Sequence, residues 1–301
     1  SASCDLAPMA DGGEGTLAAL GGPNRSSVVT GPLGEPVTAP WRLSRGVAVI
    51  EMALASGLAV AGGASSNDPV NATTSGTGQL VAEAVEAGAQ RVLVAVGGSA
   101  TTDGGLGALE ALPSVARMAG VEMIVACDVR TAFVDAAAVY GPQKGASPVQ
   151  VELLARRLSR LAQIYERDFG VDVTALTGAG AAGGLAGGLA ARGARLVNGF
   201  EGVADEIGLG ERVLNADVVV TGEGRYDATS LQGKVVGGVA DLAAESGTRA
   251  IAVVGSSDSS ARVPESVELL DLTALFSSDR AHADPCRCVS EALEVVLRGL
   301  P

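Results

Sequence analysis

Five short segments of the chain set glycine beside carboxylate, hydroxyl or basic side chains, or are dense in glycine alone. The first, M-A-D-G-G-E-G-T at Met9–Thr16, reads as a glycine turn opening into a helix. Such a turn aims unpaired backbone N–H groups at an anion, and the helix dipole adds favourable potential. Asp11 and Glu14, flanking Gly12 and Gly13, would repel a bare phosphate, so they suit a magnesium ion or a substrate hydroxyl. A helix cap by Asp11, with the glycines at positive φ, is the structural alternative. The second segment, V-G-G-S-A-T-T-D-G-G at Val96–Gly105, directly follows an apolar strand candidate, where doubly wound sheets bind their ligands. Its Gly97, Gly98 and Ser99 suit phosphate or hydroxy-acid oxygens, and Asp103 is a candidate metal ligand or hydroxyl-activating base.

The third segment, A-C-D-V, places Asp128 at another strand end, a position for a catalytic base, a metal ligand or a helix cap. The accompanying G-P-Q-K-G-A turn sets Lys144 where it could neutralise a carboxylate or phosphate. The fourth, Gly178–Gly188, contains a G-x-G-x-x-G match but lacks a preceding strand, so close packing or phosphate contact fits it better than a dinucleotide. The fifth is the densest. A strand over Val218–Val220 delivers Thr221, Gly222, Glu223, Gly224, Arg225 and Asp227, with Lys234 opening the next helix. Arg and Lys offset charge on a transferring phosphoryl group, and carboxylates such as Glu223 and Asp227 hold Mg²⁺. A salt-bridged structural loop is the alternative.

These segments need strands and helices to hold them. Branched apolar runs predict strands at Val47–Ile50, Arg91–Val96, Glu122–Ala126, Asp217–Val220 and Ala250–Val254. Between them, Ala-rich amphipathic stretches predict helices at Gly15–Leu20, Gly76–Ala87, Pro148–Phe169, Gly183–Ala191, Lys234–Glu245 and Cys286–Leu297. The alternation implies an α/β protein of mostly parallel sheets. Gly and Pro punctuation near Gly31–Gly34 and Val197–Gly202 predicts two crossings between lobes. That punctuation gives an inserted domain at 31–197, within a discontinuous domain of 1–30 and 198–301.

Composition narrows the chemistry further. The 301 residues are 47% hydrophobic but only 3% aromatic, so the core is expected from Val, Leu, Ile and Ala. A net charge of −13 disfavours nucleic acid and anionic membranes as partners, and requires a local basic or N–H cluster for any anionic substrate. With one histidine, His282, and four scattered cysteines, a His-based triad or His-rich metal site is nearly excluded. No signal peptide or membrane-length apolar run is visible, which predicts a cytoplasmic protein. Neither a Walker A motif nor a protein-kinase signature set occurs. The residues alone thus lead to a metal-dependent, phosphate-handling α/β enzyme.

Taken in order, the motifs resemble the type I glycerate kinase family: P-M-A-D-G-G-E-G-T, G-P-L-G-E-P-V, I-E-M-A, A-T-T-S-G-T-G, G-G-S-A-T-T-D-G-G, A-C-D-V, Y-G-P-Q-K-G-A, G-A-G-A-A-G-G-L, and T-G-E-G-R-Y-D through L-Q-G-K. The resemblance covers about residues 8–255. It implies ATP- and Mg²⁺-dependent phosphorylation of D-glycerate, typically to 2-phosphoglycerate, by a monomer or homodimer. It further implies a flavodoxin-like discontinuous three-layer α/β/α domain with a second α/β domain inserted in it, and a site between the lobes. Asp11, Glu14, Asp103, Asp128, Glu223, Arg225, Asp227 and Lys234 fall on the family's motif positions. A base at Asp128 or Asp103, phosphate contacts from Lys234 and Arg225, and a carboxylate clamp by Arg225 or Lys144 are the roles expected of them. The family's opening strand and D-S-F-K-G-like segment do not occur before Pro8; either they lie upstream of Ser1 or the chain is a trimmed relative. The stretch between Gly105 and Val121 is shorter than the family's usual one. Two other readings stay open: a catalytically impaired homologue that binds nucleotide or a small acid, and a kinase for another small hydroxy acid.

Overall fold

The computed structural model describes residues 3–231 and 234–298, so Gln232 and Gly233 of the L-Q-G-K segment lie outside the described residues. The chain divides into two compact units, meeting at Val203 and Ala204.

The first unit is built on a six-stranded sheet of β1 (Arg25–Thr30), β2 (Pro36–Ser44), β3 (Val47–Glu51), β4 (Arg91–Ala95), β5 (Glu122–Cys127) and β6 (Arg195–Asn198), in that spatial order. Strands β3 to β6 are mutually parallel, while β2 is antiparallel to both β1 and β3. The runs V-A-V-I-E, R-V-L-V-A and E-M-I-V-A-C are buried at nearly every position. Continuous rather than alternating burial is what a parallel sheet covered on both faces requires. Helix Ser75–Glu86 buries Leu80, Val81 and Ala84, and helix Pro148–Phe169 buries Leu154, Leu158, Ala162 and Tyr165. The longer helix starts at a Ser147–Gln150 capping box and stops at Gly170, whose φ of 71° ends it in the left-handed conformation.

The punctuation at Gly31–Gly34, expected to mark a crossing between lobes, is the turn of the β1–β2 hairpin, closed by a Gly31 N–H bond to the Glu35 carbonyl. The N-terminal residues before it therefore hydrogen-bond into the same sheet as those after it. The second expected crossing, at Val197–Gly202, falls beside the observed division between units.

The second unit carries a three-stranded parallel sheet of β7 (Val218–Tyr226), β8 (Arg249–Ser257) and β9 (Val267–Asp271). Its core gathers Ile251, Val253, Leu270 and Leu272 with Cys288 and Ala292 of helix Pro285–Leu297. Both units are α/β, as the alternation of patterns predicted. Among the described residues, no helix is long and apolar enough to cross a membrane.

Candidate active site

Because β3, β4, β5 and β6 run in one direction, the residues at their C-terminal ends emerge along one edge of the sheet. Glu51, the Gly97–Gly98 turn, Cys127–Asp128 and Asn198 all lie there. The Asp11–Glu14 turn is laid over this edge. A side chain at Gly12 would collide with Ala126 and Gly199, and one at Gly97 would meet the Gly13 Cα. Gly98, with φ of 60°, has no room for a Cβ against the Glu14 carboxylate. The first and second glycine segments are thus one packed unit, with Gly12 and Gly97 required for close backbone contact.

Glu51 anchors the turn. Its two carboxylate oxygens accept the N–H groups of Gly15 (3.0 Å) and Leu17 (3.1 Å), tying the end of β3 to the start of helix Thr16–Ala19. Asn198 caps the following helix by accepting the Phe200 N–H at 2.9 Å. Asp128 is exposed at the end of β5, next to a Cys127 thiol that burial, with a smaller push from Asp128, raises to about 11. Asp11 is partly buried and Glu14 exposed.

Asp103 is occupied differently. Its Oδ2 accepts the Thr74 N–H (2.9 Å), the Thr74 hydroxyl (2.8 Å) and the Gly107 N–H (3.2 Å), and its Oδ1 accepts the Gly105 N–H (3.0 Å). It bridges the starts of helices Ser75–Glu86 and Leu106–Ala111. Lys144 is not on a solvated turn. It is 2% exposed, and its Nζ donates to Ser99 Oγ (2.7 Å) and the Thr101 carbonyl (2.6 Å). Burial lowers its ammonium to about 7, partly opposed by the negative charge of Asp103. In the same loop Thr101 Oγ1 and Thr102 Oγ1 are buried with no hydrogen-bond partner among the described residues. The fourth segment serves packing: Gly183 and Gly188 admit the carbonyls of Thr101 and Gly104 where a side chain would overlap them.

In the second unit, β7 sets Glu223 and Arg225 opposite Val254 and Ser256 of β8, and Asp227 follows in a tight turn. Asp227 Oδ1 accepts the Thr229 N–H (2.8 Å) and hydroxyl (2.6 Å), which hold its carboxyl below the usual carboxylate range. Lys234 donates to the Thr229 hydroxyl at 3.1 Å, and an Arg225 guanidinium nitrogen lies 4.0 Å from an Asp258 oxygen. Gly222 packs on the Val253 carbonyl, whereas Gly224 has open space where a side chain would be. Glu223 Oε1 is a buried carboxylate oxygen with no hydrogen-bond partner among the described residues.

That orphaned oxygen bears on magnesium. Among the described residues no three His, Cys, Asp or Glu side chains gather to hold a metal. Mg²⁺ bound with a nucleotide needs only one or two protein carboxylates, with phosphates and water completing its shell. Glu223 fits as one such ligand; Asp227 already spends one oxygen on Thr229.

Sequence reasoning named the Asp11–Glu14 turn, Gly97–Ser99 and Asp128, which the first unit brings to one sheet edge or its loops. It gave no role to Glu51, whose signal was only the carboxylate ending an apolar strand, or to Asn198, which precedes a glycine at a strand end. Comparison with known proteins agrees with the motif series. The profile of the glycerate kinase family matches residues 1–116 and 113–298, the two matches meeting in the shortened stretch after Gly105. The chain is 39% identical over 287 residues to the glycerate 2-kinase of Escherichia coli K12, covering 83% of this chain and 75% of that protein. It is 40% identical over 294 residues to a glycerate kinase of Halalkalibacterium halodurans, covering 85% and 77% respectively. A crystal structure assigned as glycerate kinase 2 of Salmonella typhimurium LT2 superposes with a TM-score of 0.81 at 33% identity, over 97% of this chain and 88% of that one. Motif order, parallel-sheet architecture and these likenesses converge: the chain belongs to the glycerate kinase family.

Proposed function

We propose that the protein transfers the γ-phosphoryl group of ATP to D-glycerate, giving 2-phosphoglycerate, with Mg²⁺ accompanying the nucleotide. The observation that carries this reading is the docking of the Asp11–Glu14 turn onto the Gly97–Gly98 loop at the C-terminal edge of β3–β6. It collects carboxylates, small hydroxyls and glycine backbone at the place where open parallel sheets take their ligands. Names of the relatives supply the acceptor, glycerate.

In this reading the exposed Asp128 takes the proton of the acceptor hydroxyl, since Asp103 is engaged by four donors. Ser99 and neighbouring backbone N–H groups orient the acid, and Asp11 and Glu14 accept hydrogen bonds from its hydroxyls. Lys234 and Arg225 supply the positive charge that lowers the cost of charge spread over the transferring group. Glu223, with help from Asp227, would hold Mg²⁺, which would supply positive charge against the phosphates. A coupled ADP-release assay with D-glycerate and Mg²⁺, with the product identified by ³¹P and ¹³C NMR, tests the reading. ADP release dependent on glycerate and a 2-phosphoglycerate signal are expected; no glycerate-dependent release would refute it.

A further inference from the structure

The Lys144 ammonium is buried with two protein acceptors, and both belong to one loop, Ser99 and Thr101. Isolating such a charge from water costs several kcal/mol, about what one unpaired ion pays in a protein interior, and an apolar side chain of that length would pack there without it. The ring of Tyr140 lies 5.8 Å from Nζ and closes another side. Asn67 ties the same assembly through its side-chain amide, whose Nδ2 donates to the carbonyls of Ala100 (3.0 Å) and Lys144 (2.9 Å).

In its protonated form the Lys144 amine donates and never accepts, so in that form Ser99 Oγ is the acceptor in their 2.7 Å bond. The hydroxyl hydrogen of Ser99 is thereby turned to a different acceptor, and no described residue takes it in a hydrogen bond. Thr101 Oγ1 and Thr102 Oγ1, buried in the same loop, also lack partners among the described residues. Buried polar groups are rarely left this way, and each costs about 1–3 kcal/mol unless a ligand or water satisfies it. Ser99 directly follows Gly98, whose Cα packs against Glu14 in the candidate site.

Resting on the glycerate kinase reading, we propose that Lys144 is a positioning residue. It fixes the Ser99 rotamer so that the Ser99 O–H donates to an oxygen of the bound hydroxy acid, and it pins the loop through the Thr101 carbonyl. Lys144 itself touches no substrate, in contrast to the carboxylate clamp expected from its sequence context.

The test is a double-mutant cycle of Ser99→Ala, Lys144→Met and the double variant, assayed with D-glycerate and MgATP on the full chain. Each single variant is expected to lower kcat/KM for glycerate about tenfold or more, while KM for ATP stays within about twofold. The double variant is expected to be no worse than the poorer single one, because both remove the same aimed hydroxyl. A purely structural lysine would lower melting temperature and active fraction without selecting against glycerate. Additive losses, or Ser99→Ala at wild-type kcat/KM, would overturn the inference while leaving the kinase reading intact. Should Lys144→Met fold poorly, Lys144→Leu replaces it in the cycle under the same criteria. A wild-type protein inactive on glycerate would overturn the kinase reading and this inference together.

Discussion

Two aspartates that follow apolar strands look alike in sequence and stand in different surroundings. Asp103 accepts four hydrogen bonds from groups at the starts of two helices, so its charge is already spent on structure. Asp103→Asn places an amide against donors and is expected to cost about 1–3 kcal/mol, read as a lower melting temperature. Asp128 is exposed at the end of β5. Asp128→Asn is expected to lower kcat about 10²-fold or more, within the range typical of a lost general base, at unchanged ATP KM. Wild-type turnover in that variant would remove Asp128 as the base. Lys144 makes a third prediction, this one about pH. Its ammonium is lowered from 10.5 to about 7 by burial, so between these values the unfolded chain holds a proton that the folded chain has released. Stability must then rise with pH across that window, with the burial cost felt in full below about 7. The slope contributed approaches about 1.4 kcal/mol per pH unit for one proton. Denaturant midpoints measured from pH 7 to 10 should show it, and Lys144→Met should flatten it; an unchanged slope would mean the lysine is better solvated than its burial implies.

At the scale of elements, the glycine-rich segments act through packing. Gly183, at φ of 68°, lies where a methyl would overlap the Thr101 carbonyl, the same oxygen that Lys144 holds. Gly183→Ala therefore combines left-handed backbone strain with a backbone clash, and is expected to destabilise the first unit by about 2 kcal/mol or more. Its kcat/KM for glycerate should fall with it, since the displaced carbonyl belongs to the Ser99–Thr102 loop; unchanged stability would show that this contact relaxes freely. The segment's role was half legible. Its G-x-G-x-x-G spacing pointed nowhere without a preceding strand, and close packing was one of two readings left. The five strands expected from branched apolar runs are all present; in β3, β4, β5 and β8 burial on both faces writes an unbroken signal, whereas β7 is only partly buried. The β1–β2 hairpin was invisible for the converse reason. Its strands R-S-S-V-V-T and P-V-T-A-P-W-R-L-S are only partly buried, and the second carries two prolines, so neither period nor run marks them. Glu51 was overlooked because a buried carboxylate at a strand end has no local signature. Its meaning lies in the Gly15 and Leu17 N–H groups it accepts from over thirty residues away.

At the scale of the whole molecule, the apolar residues form separate cores. One gathers Ile50, Leu80, Val94, Val125, Leu154 and Leu158 in the first unit, and another gathers Ile251, Val253, Leu270 and Cys288 in the second, with no residue in common. Chains with distinct cores depart from a single two-state transition, and each core answers for the stability of its own unit. Low aromatic content sharpens this, because methyl and methylene burial then supplies nearly all the cohesion in each core. Ile251 is fully buried on β8, between Val220 of β7 and Glu268 of β9 in the strand register. Ile251→Ala removes three carbons there and is expected to cost about 2–5 kcal/mol. Differential scanning calorimetry should show the loss as a shift of one transition, while a second, belonging to the six-stranded unit, keeps its temperature. Gly183→Ala should shift the other transition instead. If both substitutions moved a single, undivided transition by comparable amounts, the two cores would have to be energetically one.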